Sequence, residues 1–312
     1  MEALEDVRGV LKVFRDGSIF RLDVSHLFIQ ANEQTEQGGV ATKDVILNQN
    51  LGLWVRIYLP SVAPDVRLPV MLYFHGGGFC LASPGTTDFH NFSAKLAATA
   101  GVMIVSVNYR LAPEHRLPAA YEDCFSALQW LNSGSESETW VRSYADPEKV
   151  YLLGDSAGGN IVHQVILRCG KKAKEWIKGA ILLQPFFGGE ERKRSEVDCV
   201  AEAFLSVQLS DAYWRLSLPS DCHADRDHPY CNPLGPRSPD LREVEFPPLL
   251  VALGGKDVLR DRGLEYCEEL KKMGKEVDVV LFEEEEHAFY ALKLHSDSAQ
   301  QLTQHISRFL HS

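Results

Sequence analysis

Short apolar, β-branched runs alternate with longer stretches of helical spacing along most of the chain. The runs are Lys43–Leu47, Leu53–Leu59, Pro69–Phe74, Val102–Asn108, Val150–Leu153, Ala180–Gln184, Leu249–Leu253 and Val277–Phe282. Their length suits buried strands better than helices. Between them, helical spacing covers Asp88–Ala100, Ala119–Leu131, Ala157–Cys169, Arg260–Met273 and Ser298–His311. In the second of these, Ala120, Cys124, Leu128 and Leu131 form one apolar stripe that can pack on a sheet. Eight strands alternating with helices predict an α/β fold with a mostly parallel sheet covered on both faces.

Two regions break the alternation: roughly the first 40 residues, and Gly188–Phe246 between the sixth and seventh strands. The second contains Pro219, Pro229, Pro233, Pro236 and Pro239, and is expected to be loops with short helices. Both read as material laid over a site, so residues 1–312 are expected to form one domain.

The strand at Val150–Leu153 runs through Gly154-Asp155-Ser156-Ala157-Gly158 into the helix that follows. This is G-x-S-x-G between strand and helix, a turn that projects the serine hydroxyl above the sheet. The positive end of the helix favours negative charge developing there. His75-Gly76-Gly77-Gly78 directly follows the third strand. Three glycines leave backbone N–H groups unshielded, so two of them, with the Ala157 N–H, can meet one oxyanion. A phosphate-binding loop fits less well, because Leu81 stands where G-x-G-x-x-G needs glycine and no G-x-x-x-x-G-K-[ST] occurs.

A serine near its free pKa is a poor nucleophile, so it needs a base and a group to orient that base. The seventh strand ends in Gly254-Gly255-Lys256-Asp257, and the eighth in Glu283-Glu284-Glu285-Glu286-His287. Asp257 and His287 fall at the strand ends where the order serine, acid, histidine requires them. Asp261 is the rival acid, four residues on and inside the next helix. The four glutamates read as a solvated edge that favours the imidazolium of His287 slightly and moves the acidic limb of an activity profile upward. Cys222–Cys231 holds two cysteines and two histidines but lacks zinc spacing, and is read as a loop; no metal is expected.

Composition narrows the field. The chain has 312 residues, with 32 Lys and Arg against 43 Asp and Glu and a net charge of −11. That sign is wrong for tracking phosphates, so nucleic acid is not an expected partner. No apolar run is long enough to cross a bilayer. Met1-Glu2-Ala3-Leu4-Glu5-Asp6 lacks the features of a signal peptide. Seven dispersed cysteines suit reduced thiols, and a cytoplasmic or nuclear location is expected.

HGGGF at 75–79, Asn108-Tyr109-Arg110-Leu111-Ala112-Pro113-Glu114-His115-Arg116-Leu117-Pro118 and GDSAGGN at 154–160 together resemble the hormone-sensitive-lipase branch of α/β-hydrolases, specifically the plant carboxylesterases. The resemblance implies an eight-stranded α/β-hydrolase sheet, a triad of Ser156, Asp257 and His287, and oxyanion donors at Gly76, Gly77 and Ala157. It also implies a cap from about 1–40 and 188–246. Phe187–Arg192, Tyr213–Arg215 and Asp225–Pro229 are similar to the gibberellin receptors, which bind hormone on this scaffold without hydrolysing it. Those receptors replace the triad histidine and carry a longer N-terminal lid; here His287 is present and few residues precede Gly9.

The expectation is a serine carboxylesterase acting on small apolar esters, hormone-like or specialised-metabolite esters among them, with no cofactor and no protein partner needed for catalysis. Phe79, Phe186, Phe187, Tyr213 and Trp214 are its expected apolar pocket lining. The alternative is a gibberellin-type binding protein.

Overall fold

Alternation within the central strands decides the layers. In the strand Leu68–Phe74 every residue is buried, with Val70, Leu72 and Phe74 in one apolar core and Met71 and Tyr73 in another. A strand covered on both faces reads as a continuous apolar run. The computed structural model describes residues 2–34, 39–63, 65–133, 135–220 and 225–311.

Three short strands come first: β1 (Ala3–Val7), β2 (Leu11–Phe14) and β3 (Ile19–Arg21). Next are β4 (Val40–Asn48), β5 (Leu53–Pro60), β6 (Leu68–Phe74), α1 (Thr87–Ala100) and β7 (Met103–Asn108). α2 (Ala119–Ser133), α3 (Thr139–Tyr144), β8 (Ala145–Asp155), α4 (Ala157–Cys169), α5 (Ala173–Trp176) and β9 (Gly179–Leu183) follow. The chain continues with α6 (Arg194–Val197), α7 (Val207–Ser217), β10 (Leu249–Gly254), α8 (Arg260–Lys272), β11 (Val277–Phe282), α9 (Phe289–Leu292) and α10 (Asp297–Leu310).

The eight expected strands form one sheet in the order β11-β10-β9-β8-β6-β7-β5-β4. β4 with β5 and β5 with β7 are antiparallel; the other pairs are parallel. One core lies under α2, α4 and α8, the other under α1, α9 and α10. Register aligns the carboxyl ends: Phe74 lies opposite Gly154, Asp155 opposite Leu183, and Gly254 opposite Phe282. The loops that leave these ends therefore converge at one edge, where open α/β sheets place their ligands.

Residues 2–34 hold more order than their pattern predicts. β1, β2 and β3 make a separate antiparallel sheet. Only Val7 and Leu11 are buried within these strands, so alternation gives almost no signal. The sheet is tied down by polar contacts. Arg21 grips Glu114 with two hydrogen bonds of 2.7 and 2.6 Å, and donates to the carbonyls of Cys80 and Ala112. Arg215 of α7 pairs with Glu5, and Arg8 donates to the Ala203 carbonyl at 3.0 Å. The stretch 188–246 carries short helices between loops, as its prolines imply; the Ser206 hydroxyl caps α7 by accepting from Leu209 N–H.

Cys222 and His223 lie outside the described residues. Among the described residues no cluster of three His, Cys, Asp or Glu side chains could hold a metal, and no helix is long and apolar enough to cross a membrane. Because Arg21 serves two partly buried carbonyls and one exposed carboxylate, Arg21→Ala is expected to lower unfolding free energy in urea by only about 1 kcal/mol. The same change should speed proteolytic cutting within residues 2–34 several-fold; unchanged cutting would contradict the anchoring role.

Candidate active site

β8 ends at Asp155 and α4 begins at Ala157, so Ser156 alone reverses the chain. Its backbone sits at φ 53° and ψ −116°, a conformation that costs a non-glycine residue about 1–3 kcal/mol. Surrounding bonds hold it there: Ser156 N–H donates to Leu183 at 2.8 Å, and its carbonyl accepts from Phe186 N–H at 2.8 Å and Asn160 N–H at 3.2 Å. The flanking glycines serve close approach, since neither has positive φ. A Cβ on Gly158 would overlap the Phe74 carbonyl, and one on Gly154 would overlap the Gly158 carbonyl.

The loops after β10 and β11 bring Asp257 and His287 to this turn. Ser156 Oγ lies 2.9 Å from His287 Nε2, and His287 Nδ1 lies 2.8 Å from Asp257 Oδ2. All three are buried. In the tautomer with its proton on Nδ1, the imidazole donates to Asp257 Oδ2 and Nε2 can accept from the serine hydroxyl. Asp257 is itself fixed by Leu259 N–H, which donates to Oδ1 at 3.0 Å. Asp261, the rival acid, is engaged elsewhere, with Arg260 and the Ser195 N–H. In the glutamate run, exposed Glu284 pairs with Lys256, and half-buried Glu285 pairs with Lys293.

Gln184 was not singled out by the sequence. It is fully buried with φ 46°, and its amide spans the peptides on either side of His287. Nε2 donates to the Glu286 carbonyl at 3.0 Å, while Oε1 accepts from Ala288 N–H at 2.7 Å. A lone glutamine after a strand carries no motif; only the fold brings it to the histidine loop.

The glycine loop corrects one expectation. Gly76 packs against the Asp155 carboxylate and does not line the cavity above Ser156; Gly77 and Gly78 do. None of the N–H groups of Gly76, Gly77, Gly78 and Ala157 makes a hydrogen bond to a protein acceptor among the described residues. Of the pair first assigned, Gly77 borders the cavity and Gly76 does not, and Gly78 stands in the wall beside Gly77.

The cavity holds about 200 Å³ and is lined largely by apolar groups: Leu81, Ala82, Phe89, Phe186, Phe204, Leu205, Tyr213, Ala291 and Leu292, with Asp88 the charged side chain toward solvent. Of the five aromatics expected there, Phe186 and Tyr213 reach it. Phe79, Phe187 and Trp214 are packed behind: Trp214 stacks on Phe186 at 4.4 Å, Phe79 sits 5.6 Å from Trp214, and Phe187 packs on Tyr266. Phe204 stacks over the His287 ring at 6.5 Å, with the Arg8 guanidinium on Phe204 at 5.9 Å. A wider recess of about 570 Å³, lined by Arg67, Val70 and Val150, lies at the opposite end of β6 and β8 and holds no comparable nucleophile and base.

Burial pushes the Asp155 carboxyl up from its ordinary 3.8 to about 6, with the Tyr73 and Tyr290 hydroxyls pulling it back. A raised carboxyl pKa is a stability cost that is absent at low pH, builds as pH rises from 4 to 6, and is complete above 6. Asp155→Asn is therefore expected to raise Tm at pH 8 by about 2–6 °C, with the gain shrinking toward pH 4.5. A variant that is less stable than the parent at pH 8 would contradict this sign.

The chain matches the family model described as alpha/beta hydrolase fold over residues 71–291. It is 40% identical over 268 residues to the gibberellin receptor GID1C of Arabidopsis thaliana, covering 81% of this chain and 76% of that protein. It is 37% identical over 320 residues to probable carboxylesterase 6 of the same plant, covering 99% and 91%. Among solved structures, the carboxylesterase EstE1 from a metagenomic library aligns with a TM-score of 0.75 at 28% identity, over 90% of each chain. With its eight-stranded sheet and the serine turn after β8, the chain belongs to the alpha/beta hydrolase fold family, among the carboxylesterase-type members.

Proposed function

We propose that the protein hydrolyses small carboxylic esters through an acyl-enzyme on Ser156. The observation that carries this reading is the pair of hydrogen bonds linking Ser156 to His287 and His287 to Asp257, at 2.9 and 2.8 Å. His287 Nε2 takes the hydroxyl proton as Oγ attacks the ester carbonyl, and the imidazolium then gives that proton to the leaving alkoxide. Asp257 keeps the imidazole in the tautomer this requires and stabilises its charged form. Water attacks the acyl-enzyme with His287 again as base, releasing acid and free Ser156. The tetrahedral oxyanion is met by the N–H groups of Gly77, Gly78 and Ala157, at the positive end of the 13-residue helix α4. Side chains, backbone amides and water supply the whole scheme.

Residues 1–40 and 188–246 act as a cap within a single domain. Supporting this are the contacts of Arg8 with Ala203 and Phe204, and of Glu5 with Arg215, which join the two segments beside the cavity mouth. A cavity of about 200 Å³ is smaller than the roughly 300–1,000 Å³ of pockets for drug-sized ligands, so the acyl group is short. Binding without turnover is the reading that the gibberellin receptor relative raises. An intact relay from Ser156 through His287 to Asp257 favours turnover.

Ser156→Ala is expected to reduce kcat/KM for p-nitrophenyl butyrate by at least about 10³-fold while Tm is retained. Turnover that survives this change would contradict the mechanism, and a parent protein that binds esters without cleaving them would support the binding reading. Acetyl and butyryl esters are expected to exceed decanoyl esters by roughly tenfold or more in kcat/KM, with Phe204→Ala narrowing the gap. Equal rates across chain lengths would contradict the small pocket.

A further inference from the structure

Asp155 forms part of the cavity wall but takes no part in the proton relay. It is 2% exposed, and groups from three segments converge on it. The Tyr73 hydroxyl of β6 donates to Oδ1 at 2.6 Å and the Tyr290 hydroxyl of α9 donates to Oδ2 at 3.1 Å, while the Gly76 backbone of the glycine loop favours the ionised carboxylate. The loop backbone and the carboxylate are close-packed: a Cβ on Gly76 would lie 2.5 Å from Oδ2.

The glycine loop needs such an anchor. Gly77 and Gly78 have φ of 108° and 60°, regions that glycine enters and leaves at little energetic cost. The carbonyls on this loop are held, Gly76 O by the His75 ring at 2.8 Å and Gly77 O by Cys80 and Leu81 N–H at 3.0 Å. On the amide side the hold is Asp155, whose Oδ2 packs on Gly76 and whose charged form the Gly76 backbone favours. Two tyrosine hydroxyls alone could be served by a neutral acceptor. A buried carboxylate at the very residue before the nucleophile is a local cost that the fold itself does not require.

We infer that Asp155 is a positioning residue: its carboxylate fixes the Gly76 peptide, and through it the peptide planes of Gly77 and Gly78, so that their N–H groups face the oxyanion above Ser156. This rests on the ester-hydrolysis reading above. The neutral isostere weakens the anchor, and removal of the side chain abolishes it. The reacting atoms stay in place in both cases, so ground-state binding is preserved while transition-state stabilisation falls.

The test compares the parent protein with Asp155→Asn and Asp155→Ala, using p-nitrophenyl butyrate as substrate and an aliphatic trifluoromethyl ketone as probe. The ketone adds reversibly to a serine hydroxyl and places an oxyanion against the same donors. Asp155→Asn is expected to lower kcat roughly tenfold and Asp155→Ala roughly 100-fold, with KM within about threefold of the parent. The inhibition constant for the ketone should rise in proportion to the loss of kcat/KM, while the Tm of Asp155→Asn is not below that of the parent. Unchanged kcat and ketone affinity in both variants would overturn the inference, as would a loss confined to KM and Tm. If the parent itself neither cleaves the ester nor binds the ketone, the hydrolase reading falls and this inference falls with it.

Discussion

The whole site depends on how closely the turn after β8 approaches the loop after β6. Gly158 lies against the Phe74 carbonyl with no room for a methyl group, and Gly76 lies close against the Asp155 carboxylate. That contact places a serine hydroxyl, the first amide of a long helix and the amides of a glycine loop around one small volume. Register makes it possible, because Phe74 and Gly154 are directly opposite in parallel strands and both chains leave the sheet at the same level. The unfavourable backbone of Ser156 follows from the same geometry. A chain that must leave a strand and enter a helix within one residue has no relaxed alternative.

Around this contact the polar groups are held by side chains that do no chemistry themselves. Gln184, at the end of β9, clamps the peptides on both sides of His287. Asp155 gathers two tyrosines and the glycine loop. Each link is buried, where a satisfied hydrogen bond is strong and an unsatisfied one is expensive. Such supports trade stability for geometry, and Asp155 shows the trade most clearly, with its carboxyl pushed to about 6 by burial.

Much of this was legible in the sequence, and what was not has identifiable causes. The eight central strands announce themselves because β-branched and apolar residues fill both faces, and Ser156, Asp257 and His287 stand at strand ends in a fixed order. The strands β1 to β3 do not, since two buried residues, Val7 and Leu11, cannot make a pattern. Three glycines in a row say that loop amides are exposed, yet not which ones face the cavity; Gly76 packs on Asp155 outside the cavity lining, and that depends on a side chain 79 positions away in sequence. Aromatic residues near a site are equally ambiguous. Phe186 and Trp214 stack on one another, and only the first reaches the cavity.

The account stands on Ser156 being a nucleophile activated by His287. Labelling with a p-nitrophenyl alkylphosphonate, followed by intact-mass analysis and peptide mapping, examines that reactivity without assuming a substrate. The account predicts one phosphonyl group per chain, located on Ser156, with labelling slowed severely by His287→Gln. No adduct on a folded protein, or an adduct on any other residue, would contradict it.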